Sequence, residues 1–272
     1  MTIFELMQAK FPEFSDKEKQ IATYILGNRE SIKNINISKL AEVTHSSPAT
    51  ITRFSKKLMC NNFVDLKIKV NSSMSRDMKV SQSNDKVDDV YNFYTKVIEN
   101  TKQTAKVEEI HEVVEAIKKA GRILAFGVGS SGFTAQELIQ RLVRMGLNAS
   151  AITDPHFMII SSSIVTEDDL VIGISTSGET TEVVNAISLA KNSGAKVISF
   201  TSFSSSSIAK LSDISLVSFS SKFVGNQRFV NSQFATMYLI DVISTELLEN
   251  DSLSKKMNRT IKVITNPNDL SI

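Results

Sequence analysis

Five short apolar segments from residue 123 onward, separated mostly by helical stretches, constrain the fold of the chain most strongly. The predicted strands cover 123–126, 150–153, 170–174, 196–201 and 214–219. They are rich in β-branched residues, and alternation with helices is typical of a parallel sheet covered on both faces. We therefore expect an α/β domain with a doubly wound, five-stranded parallel sheet in the flavodoxin-like order 2-1-3-4-5.

Two loops of small residues follow the first and third predicted strands, and each precedes a helix. The first loop begins at Gly127 and the second spans 175–180. Free backbone N–H groups, hydroxyls and the positive end of a helix together bind phosphate. In the predicted strand order, strands 1 and 3 flank the point where ligands bind in such sheets. We therefore predict a site for a phosphorylated small molecule.

The candidate ligand-binding residues supply neutral hydrogen-bond donors. They are Gly129, Ser130, Ser131, Ser175, Thr176, Ser177, Glu179 and Thr180. Neither loop contains Lys or Arg, so hydroxyls and two helix ends would hold the anion with modest affinity. Glu179 either binds a sugar hydroxyl or amino group, or places a negative charge at the helix N-terminus. A simpler interpretation is that the loops only cap helices.

The first 77 residues predict short helices and carry a net positive charge. They contain 12 Lys and Arg against 8 Asp and Glu, whereas the whole chain has a net charge of +2. Ser15 and Glu18 form a predicted capping box. A helix over 38–43, a break at 44–47 and a helix that opens with Pro48 predict an all-α helix-turn-helix domain.

The helix that follows the break has the layout of a DNA-recognition helix. Ile51 and Phe54 have the spacing of a buried stripe, and Arg53 is the best candidate to bind a guanine bidentately. The candidate DNA-binding residues are Ser47, Pro48, Ala49, Thr50, Thr52, Arg53, Lys56 and Lys57. A plain helical bundle with a solvated basic face is the alternative.

We expect three segments: a helix-turn-helix domain over 1–77, a linker with a helix over 78–104, and a ligand-binding domain with a C-terminal helix over 105–272. Cys60 is the only cysteine, which favours a reduced, cytoplasmic setting. No signal peptide is recognisable, and no apolar run approaches the roughly 20 residues of a membrane helix. The spacing of the three histidines and the cysteine predicts no metal site, and no cofactor is expected.

The two loops resemble those of sugar isomerase (SIS) domains over roughly 107–245. The motifs are Gly-Val-Gly-Ser-Ser at 127–131 and Ser-Thr-Ser-Gly-Glu-Thr at 175–180. The resemblance implies a phosphosugar bound through Ser131, Ser175, Ser177 and Thr180, with Ser130 and Thr176 close by.

The chain carries these loops together with the predicted recognition-helix sequence Ala-Thr-Ile-Thr-Arg-Phe at 49–54. In this combination it is similar to the RpiR family of bacterial transcriptional regulators. Members are expected to bind double-stranded operator DNA as homodimers or homotetramers and to sense a phosphosugar. Two positions depart from the family pattern. His45 stands where the interhelix turn commonly has Gly, and Gln233 stands where Arg is frequent.

SIS domains occur in isomerases and in sensors, and the presence or absence of candidate catalytic residues distinguishes the two classes. An aldose–ketose isomerase needs a general base close to the sugar carbons. His156 and Glu179 are the candidates, and no acid partner is evident. We predict a DNA-binding transcriptional regulator of sugar metabolism without catalytic residues. The alternatives are a phosphosugar aldose–ketose isomerase with an accessory helical domain, and a sugar-phosphate-binding protein that modulates another protein.

Overall fold

The computed structural model describes residues 2–78, 86–224 and 231–265. The chain divides into two compact units. The helical unit comprises Met1–Gln103 and Phe219–Ser232, and the α/β unit comprises Thr104–Ser218 and Gln233–Ile272. Within the described ranges, no helix combines the length and apolar character needed to cross a membrane.

The helical unit encloses its own apolar core. Its helices are α1 (Ile3–Lys10), α2 (Asp16–Gly27), α3 (Arg29–Ile32), α4 (Ile37–Val43), α5 (Pro48–Lys57), α6 (Phe63–Met78) and most of α7 (Lys86–Thr104). Fully buried side chains from α2, α4, α5 and α6 fill the core, among them Ile21, Leu40, Ile51, Phe54 and Leu66. Burial of the predicted stripe on α5 leaves the opposite side of that helix facing solvent.

Glu18 ties the start of α2 to the end of α5. The predicted capping box is present, since Glu18 N–H donates to Ser15 Oγ (3.4 Å) and Ser15 N–H donates to Glu18 Oε2 (2.8 Å). Lys57 Nζ donates to the same carboxylate oxygen at 2.8 Å. Burial alone would raise the pKa of Glu18, but the hydrogen bonds from Lys57 and Ser15 outweigh it and hold the pKa below its usual value.

A Schellman motif ends α4 and forms the turn before α5. Ser46 N–H donates to the carbonyl of Ala41 at 2.8 Å, and His45 N–H donates to that of Glu42 at 3.1 Å; these two bonds define the motif. His45 has a φ of +46°, a left-handed conformation that costs free energy for any residue with a Cβ. The turn therefore adopts the Schellman geometry with His45 at the position where Gly is common.

The α/β unit alternates strands and helices as predicted. Its elements are α8 (Val107–Lys119), β1 (Arg122–Phe126), α9 (Ser130–Arg144), β2 (Ala149–Ile152), α10 (Pro155–Ser163), β3 (Asp169–Ile174), α11 (Thr181–Asn192), β4 (Lys196–Thr201), α12 (Ser207–Leu211), β5 (Ile214–Val217), α13 (Phe234–Leu247) and α14 (Asp251–Thr265). All strand pairs are parallel and the order is β2-β1-β3-β4-β5. The predicted fold class is confirmed.

Each face of the sheet carries an apolar core, and strand residues alternate between the two. Ile123 of β1 packs with residues of α8, α9 and α13, whereas its neighbour Leu124 packs with residues of α10 and α11. Burial on both faces explains the nearly continuous apolar runs of the strands. At the amino edge, Arg122 binds both carboxylate oxygens of Asp169 at 2.9 and 2.8 Å, which joins β1 to β3.

Helix α10 was not predicted from the sequence. Asp154 caps this helix by accepting from the N–H of Phe157 at 3.0 Å, and Pro155 occupies the first helical position. Only Met158 and Ser162 of α10 are buried. The helix therefore lacks the repeating apolar stripe from which amphipathic helices are predicted.

Replacing His45 by Gly removes the conformational free-energy cost of a side chain at a left-handed backbone position. We expect His45→Gly to raise the free energy of unfolding by up to about 1 kcal/mol, and His45→Val, with a β-branched side chain, to lower it by about as much. Urea denaturation of the full chain, followed by circular dichroism, measures both changes. Equal stability of the two variants would contradict the left-handed turn.

The Glu18 carboxylate makes the stability of the folded chain depend on pH in the acid range. Its contribution is complete above its unfolded pKa near 4.5 and is lost as the pH falls through the lower folded value. We expect Glu18→Gln to reduce the loss of thermal stability below about pH 4.5. Glu42→Gln, at an exposed pair with Lys39, is the control. An unchanged acid profile in Glu18→Gln would show that the pair with Lys57 is not formed.

Candidate functional site

The two small-residue loops lie side by side at the carboxyl edge of the sheet. β1 and β3 are parallel neighbours, and Phe126 at the end of β1 lies opposite Gly173 of β3. Residues 127–129 then lead into α9, and residues 175–180 lead into α11. The first N–H groups of a helix have no intrahelical partner and carry the positive end of its dipole. Two such helix ends are therefore presented at one edge.

The first loop turns sharply at Gly129. Its φ of +58° and ψ of −129° lie in a region that side chains with a Cβ rarely enter. α9 begins at the next residue, so Ser130 and Ser131 occupy its first two positions. Ser130 is exposed, whereas Ser131 is buried.

The second loop folds around Ser175, which is only 1% exposed. Ser175 Oγ accepts from the N–H of Gly178 at 3.0 Å and lies 2.9 Å from Thr180 Oγ1 and 3.4 Å from Ser177 Oγ. Gly178 has a φ of +68°, and a Cβ there would clash with Ser206 Oγ, so a larger residue does not fit. Three of the four predicted hydroxyls of this loop thus form one cluster.

The fourth hydroxyl of this loop, on Thr176, is held by Gln233. Gln233 Nε2 donates to Thr176 Oγ1 at 3.0 Å and to Ser131 Oγ at 3.5 Å, and its Oε1 accepts from Thr134 Oγ1 at 3.3 Å. The side chain, which is 6% exposed, therefore bridges the two loops. From the sequence, Gln233 was recognisable only as a departure from the family pattern, because its partners lie 57 to 102 residues away.

Glu179 is the one titratable side chain within the two loops. Its carboxylate accepts from the N–H of Ser207 at 2.9 Å and from Ser207 Oγ at 2.6 Å, at the first residue of α12. This joins the second loop to α12. His156 is exposed on α10. In the parts of the chain that the structure describes, no group of three or more His, Cys, Asp or Glu side chains could hold a metal ion.

The candidate DNA-binding residues share the solvent-facing side of α5 and its cap. Ser47 caps the helix by accepting from Thr50 N–H at 3.1 Å, and Thr52 Oγ1 donates to the carbonyl of Pro48 at 3.0 Å. Thr50 and Thr52 are half-buried, and the exposed members are Ser47, Pro48, Ala49, Arg53, Lys56 and Lys57.

The three cations of α5 differ in their surroundings. Arg53 Nη2 lies 3.4 Å from Thr50 Oγ1, and neither Arg53 nor Lys56 forms an ion pair with another described residue. Lys57 instead pairs with Glu18 at 2.8 Å. Arg53 and Lys56 are therefore the side chains of this helix whose charge is available to a partner.

Comparison with known proteins agrees with this two-part organisation. Residues 1–77 match the model of the helix-turn-helix domain of the rpiR family, and residues 116–245 match that of the SIS domain. An uncharacterized HTH-type transcriptional regulator from Clostridium perfringens is 30% identical over 274 residues, which cover 95% of this chain and 98% of that protein.

Two solved structures are also similar to this chain. The Vibrio vulnificus NanR protein, complexed with ManNAc-6P, is 25% identical, with a TM-score of 0.62 over 97% of this chain and 98% of that one. The sugar isomerase domain of an RpiR transcription factor from Sphaerobacter thermophilus shares the fold, with a TM-score of 0.59 at 21% identity over 64% of this chain and 97% of that one. The chain belongs to the rpiR family of helix-turn-helix transcriptional regulators and carries a SIS domain.

Proposed function

We propose that the protein regulates genes of sugar metabolism by binding operator DNA through α5, with an affinity set by a phosphosugar at the two loops. The observation that carries this proposal is the presence in one chain of an exposed cationic helix in a helix-turn-helix and of two loops of small residues that lead into helix N-termini at one sheet edge. The corresponding segments are a DNA-binding domain over 1–77, a linker over 78–104 and a sensor over 105–272.

The DNA-binding role rests on the free charge of α5. In a helix-turn-helix, the N-terminal part of the second helix contacts base edges. Arg53, one turn into α5, carries the fork of donors that matches guanine, and the exposed Lys56 suits a phosphate. The half-buried Thr50 and the cap residue Ser47 present hydroxyls at the same end.

The phosphosugar role rests on the clustered hydroxyls at the carboxyl edge. The hydroxyls of Ser177 and Thr180 both lie within hydrogen-bond distance of Ser175 Oγ, next to the start of α11, and Ser130 and Ser131 begin α9. Such donors and helix ends suit a phosphate group. The Vibrio NanR protein, which is similar over nearly the whole chain, was solved with ManNAc-6P bound, which supports the same class of ligand here.

We infer that the protein senses the sugar without converting it. Isomerisation needs a base poised to move a proton between adjacent sugar carbons. The carboxylate of Glu179 is instead held by two hydrogen bonds from Ser207. An isomerase remains the competing function because SIS domains are also found in such enzymes. Turnover of a sugar phosphate at enzyme-like rates would favour it.

We further propose that homodimers or homotetramers bind the operator in the cytoplasm. Helix-turn-helix dimers read two half-sites. The outer face of α10 suits a contact between copies, since Phe157 is 62% and Ile160 55% exposed. No Lys, Arg, Asp or Glu lies between Asp154 and Glu167. A two-fold contact brings identical patches together, and an uncharged patch does not repel itself.

The proposal is tested by fluorescence anisotropy of the full chain on DNA from upstream of its own gene and the neighbouring genes. The titration is repeated with ManNAc-6P, other hexose and pentose phosphates, and inorganic phosphate. We expect salt-dependent binding that one sugar phosphate changes. Absence of binding to all of this DNA, with and without sugars, would contradict the proposal and favour the isomerase.

Removal of the free cations of α5 should weaken DNA binding in two distinguishable ways. Arg53→Ala should cost about 1–3 kcal/mol and relax preference at one base pair, whereas Lys56→Ala should weaken binding to all sequences and reduce the salt slope by about one. Lys39→Ala, which removes a cation already paired with Glu42, is the control. Unchanged affinity in both α5 variants would show that another surface reads the DNA.

Removal of the clustered hydroxyls should abolish the sugar response but not DNA binding. Ser175→Ala with Ser177→Ala removes two donors to phosphate and leaves α5 intact. Each lost hydrogen bond to a charged ligand is worth about 1.5–3 kcal/mol, so the sugar concentration for half-maximal response should rise by at least about a hundredfold. Ser252→Ala, at an exposed serine of α14, is the control. A normal response in the double variant would mean that the site lies elsewhere.

A further inference from the structure

Two hydroxyls of the second loop accept hydrogen bonds from the backbone of the same loop. Ser175 Oγ accepts from the N–H of Gly178 at 3.0 Å, and Ser177 Oγ accepts from the N–H of Glu179 at 3.2 Å. A serine hydroxyl has one proton to donate and two lone pairs that accept. Because a backbone N–H group can only donate, neither hydroxyl uses its proton in these bonds.

Thr180 adds a further proton to the same group. Its Oγ1 lies 2.9 Å from Ser175 Oγ, and either oxygen can be the donor. Whichever of the two donates to the other, the pair keeps one proton that is not used between them. Ser177 is exposed and Thr180 is half-buried, so a bound ligand can reach this group of hydroxyls.

Gln233 directs one hydroxyl of each loop in the same way. Its Nε2 donates to Thr176 Oγ1 at 3.0 Å and to Ser131 Oγ at 3.5 Å, while its Oε1 accepts from Thr134 Oγ1 at 3.3 Å. An amide nitrogen only donates, so the hydroxyls of Thr176 and Ser131 also keep their protons. All of these residues belong to the α/β unit.

The backbone adds donors at the starts of two helices. Neither α9 nor α11 receives a side-chain cap from a described residue at its N-terminus. The first N–H groups of a helix have no partner within the helix, and here they lie beside the hydroxyls of the two loops. Backbone and side chains therefore present hydrogen-bond donors at the same place.

Acceptors of the loops are used within the α/β unit instead. The carboxylate of Glu179 accepts from the N–H and the hydroxyl of Ser207. Five carbonyl oxygens of the loops accept from backbone N–H groups, namely those of Gly129, Ser175, Thr176, Gly178 and Thr180. The edge where the loops meet thus offers donors to a ligand, whereas these acceptors already have partners.

We propose that the two loops select their ligand by hydrogen-bond polarity and bind a phosphate ester in its doubly ionised form. This selectivity rests on the proposed function of the loops. A phosphate ester loses its second proton with a pKa of about 6, and the doubly ionised group only accepts hydrogen bonds. The singly ionised group carries one O–H, which faces donors in this site. That O–H lacks an acceptor, and an unmade hydrogen bond in a binding site lowers affinity.

Calorimetric titration of the full chain with ManNAc-6P at pH 7 and pH 5 tests this selectivity. We expect the dissociation constant to be about tenfold higher at pH 5, because only about a tenth of the ester is then doubly ionised. Equal dissociation constants at the two pH values would overturn the proposal, since the site would then accept the protonated phosphate as well.

Titratable side chains on the neighbouring elements also respond to pH, so the measurement needs a control ligand. They are Glu179 in the second loop, Glu182 at the start of α11, Asp154 and His156 after β2, and Lys210 on α12. The 6-sulfate ester of ManNAc carries one charge and no proton at both pH values. Its affinity should therefore change less than twofold. A tenfold change for the sulfate ester would assign the pH dependence to the protein and overturn the proposal.

Gln233→Met separates hydrogen-bond polarity from charge. Methionine has a similar length but donates no hydrogen bond, so the Thr176 and Ser131 hydroxyls become free to accept from a protonated phosphate. We expect the ratio of the dissociation constants at pH 5 and pH 7 to fall from about tenfold to below threefold. A ratio that stays tenfold would show that attraction of the second charge, rather than polarity, selects the ligand.

Ser177→Ala is the matched control for Gln233→Met. It removes one donor but leaves the bonds from Gln233 in place, so it should weaken binding at both pH values and keep the tenfold ratio. Loss of the ratio in Ser177→Ala as well would mean that any damage to the loops abolishes it, which contradicts a specific role of Gln233.

Failure of the proposed function has a different signature. If ManNAc-6P and the other hexose and pentose phosphates bind at neither pH, the proposed function is contradicted and the selectivity falls with it. If a sugar phosphate binds equally well at both pH values, the proposed function stands and the selectivity alone is overturned.

Discussion

The parallel pairing of β1 with β3 is the constraint on which the sensor depends. These strands are far apart in the sequence, with β2 and α10 between them, yet Phe126 lies opposite Gly173. The pairing ends both strands at one edge, so two loops and two helix N-termini meet there. Arg122 and Asp169 reinforce the same pair at the opposite edge with two hydrogen bonds. Hydrogen bonding from Arg122, which outweighs the effect of burial, holds the pKa of Asp169 below its usual value.

A site built from neutral donors has different properties from one built on a lysine or arginine. The loops offer hydroxyls and backbone N–H groups, and Gln233 stands at the position where Arg is frequent in the family. Under the proposed function, the loops hold an anion through hydrogen-bond geometry and helix dipoles, which act only over the first turn.

Local signals in the sequence predicted much of the fold. The capping box at Ser15, the Pro48 start of α5 and the five apolar strands depend on patterns within a few residues of one another, and the structure confirms them. The strand order followed from the expected doubly wound fold, and it is confirmed as well. The candidate ligand-binding and DNA-binding residues remain predictions, although the structure brings the hydroxyls of both loops to one edge and exposes Arg53.

Long-range contacts were not predictable in the same way. The hydrogen bonds of Gln233 join residues from three parts of the chain, and no repeating pattern in the sequence predicts them. The ion pair of Lys57 with Glu18 spans 39 residues and distinguishes Lys57 from its neighbour Lys56, which looks equivalent in the sequence. Phe219 and Phe223 are buried and pack edge-on against each other, and a single sequence cannot assign such residues to one core rather than another.

Reciprocal binding measurements test the coupling between sugar and DNA most directly. If a phosphosugar changes the affinity for operator DNA by some factor, the DNA must change the affinity for that phosphosugar by the same factor. Calorimetric titration of ManNAc-6P, or of the phosphosugar found to act, into the free protein and into its operator complex should give dissociation constants whose ratio equals the one measured for DNA. Equal sugar affinities in the two titrations would contradict a sensor that controls DNA binding.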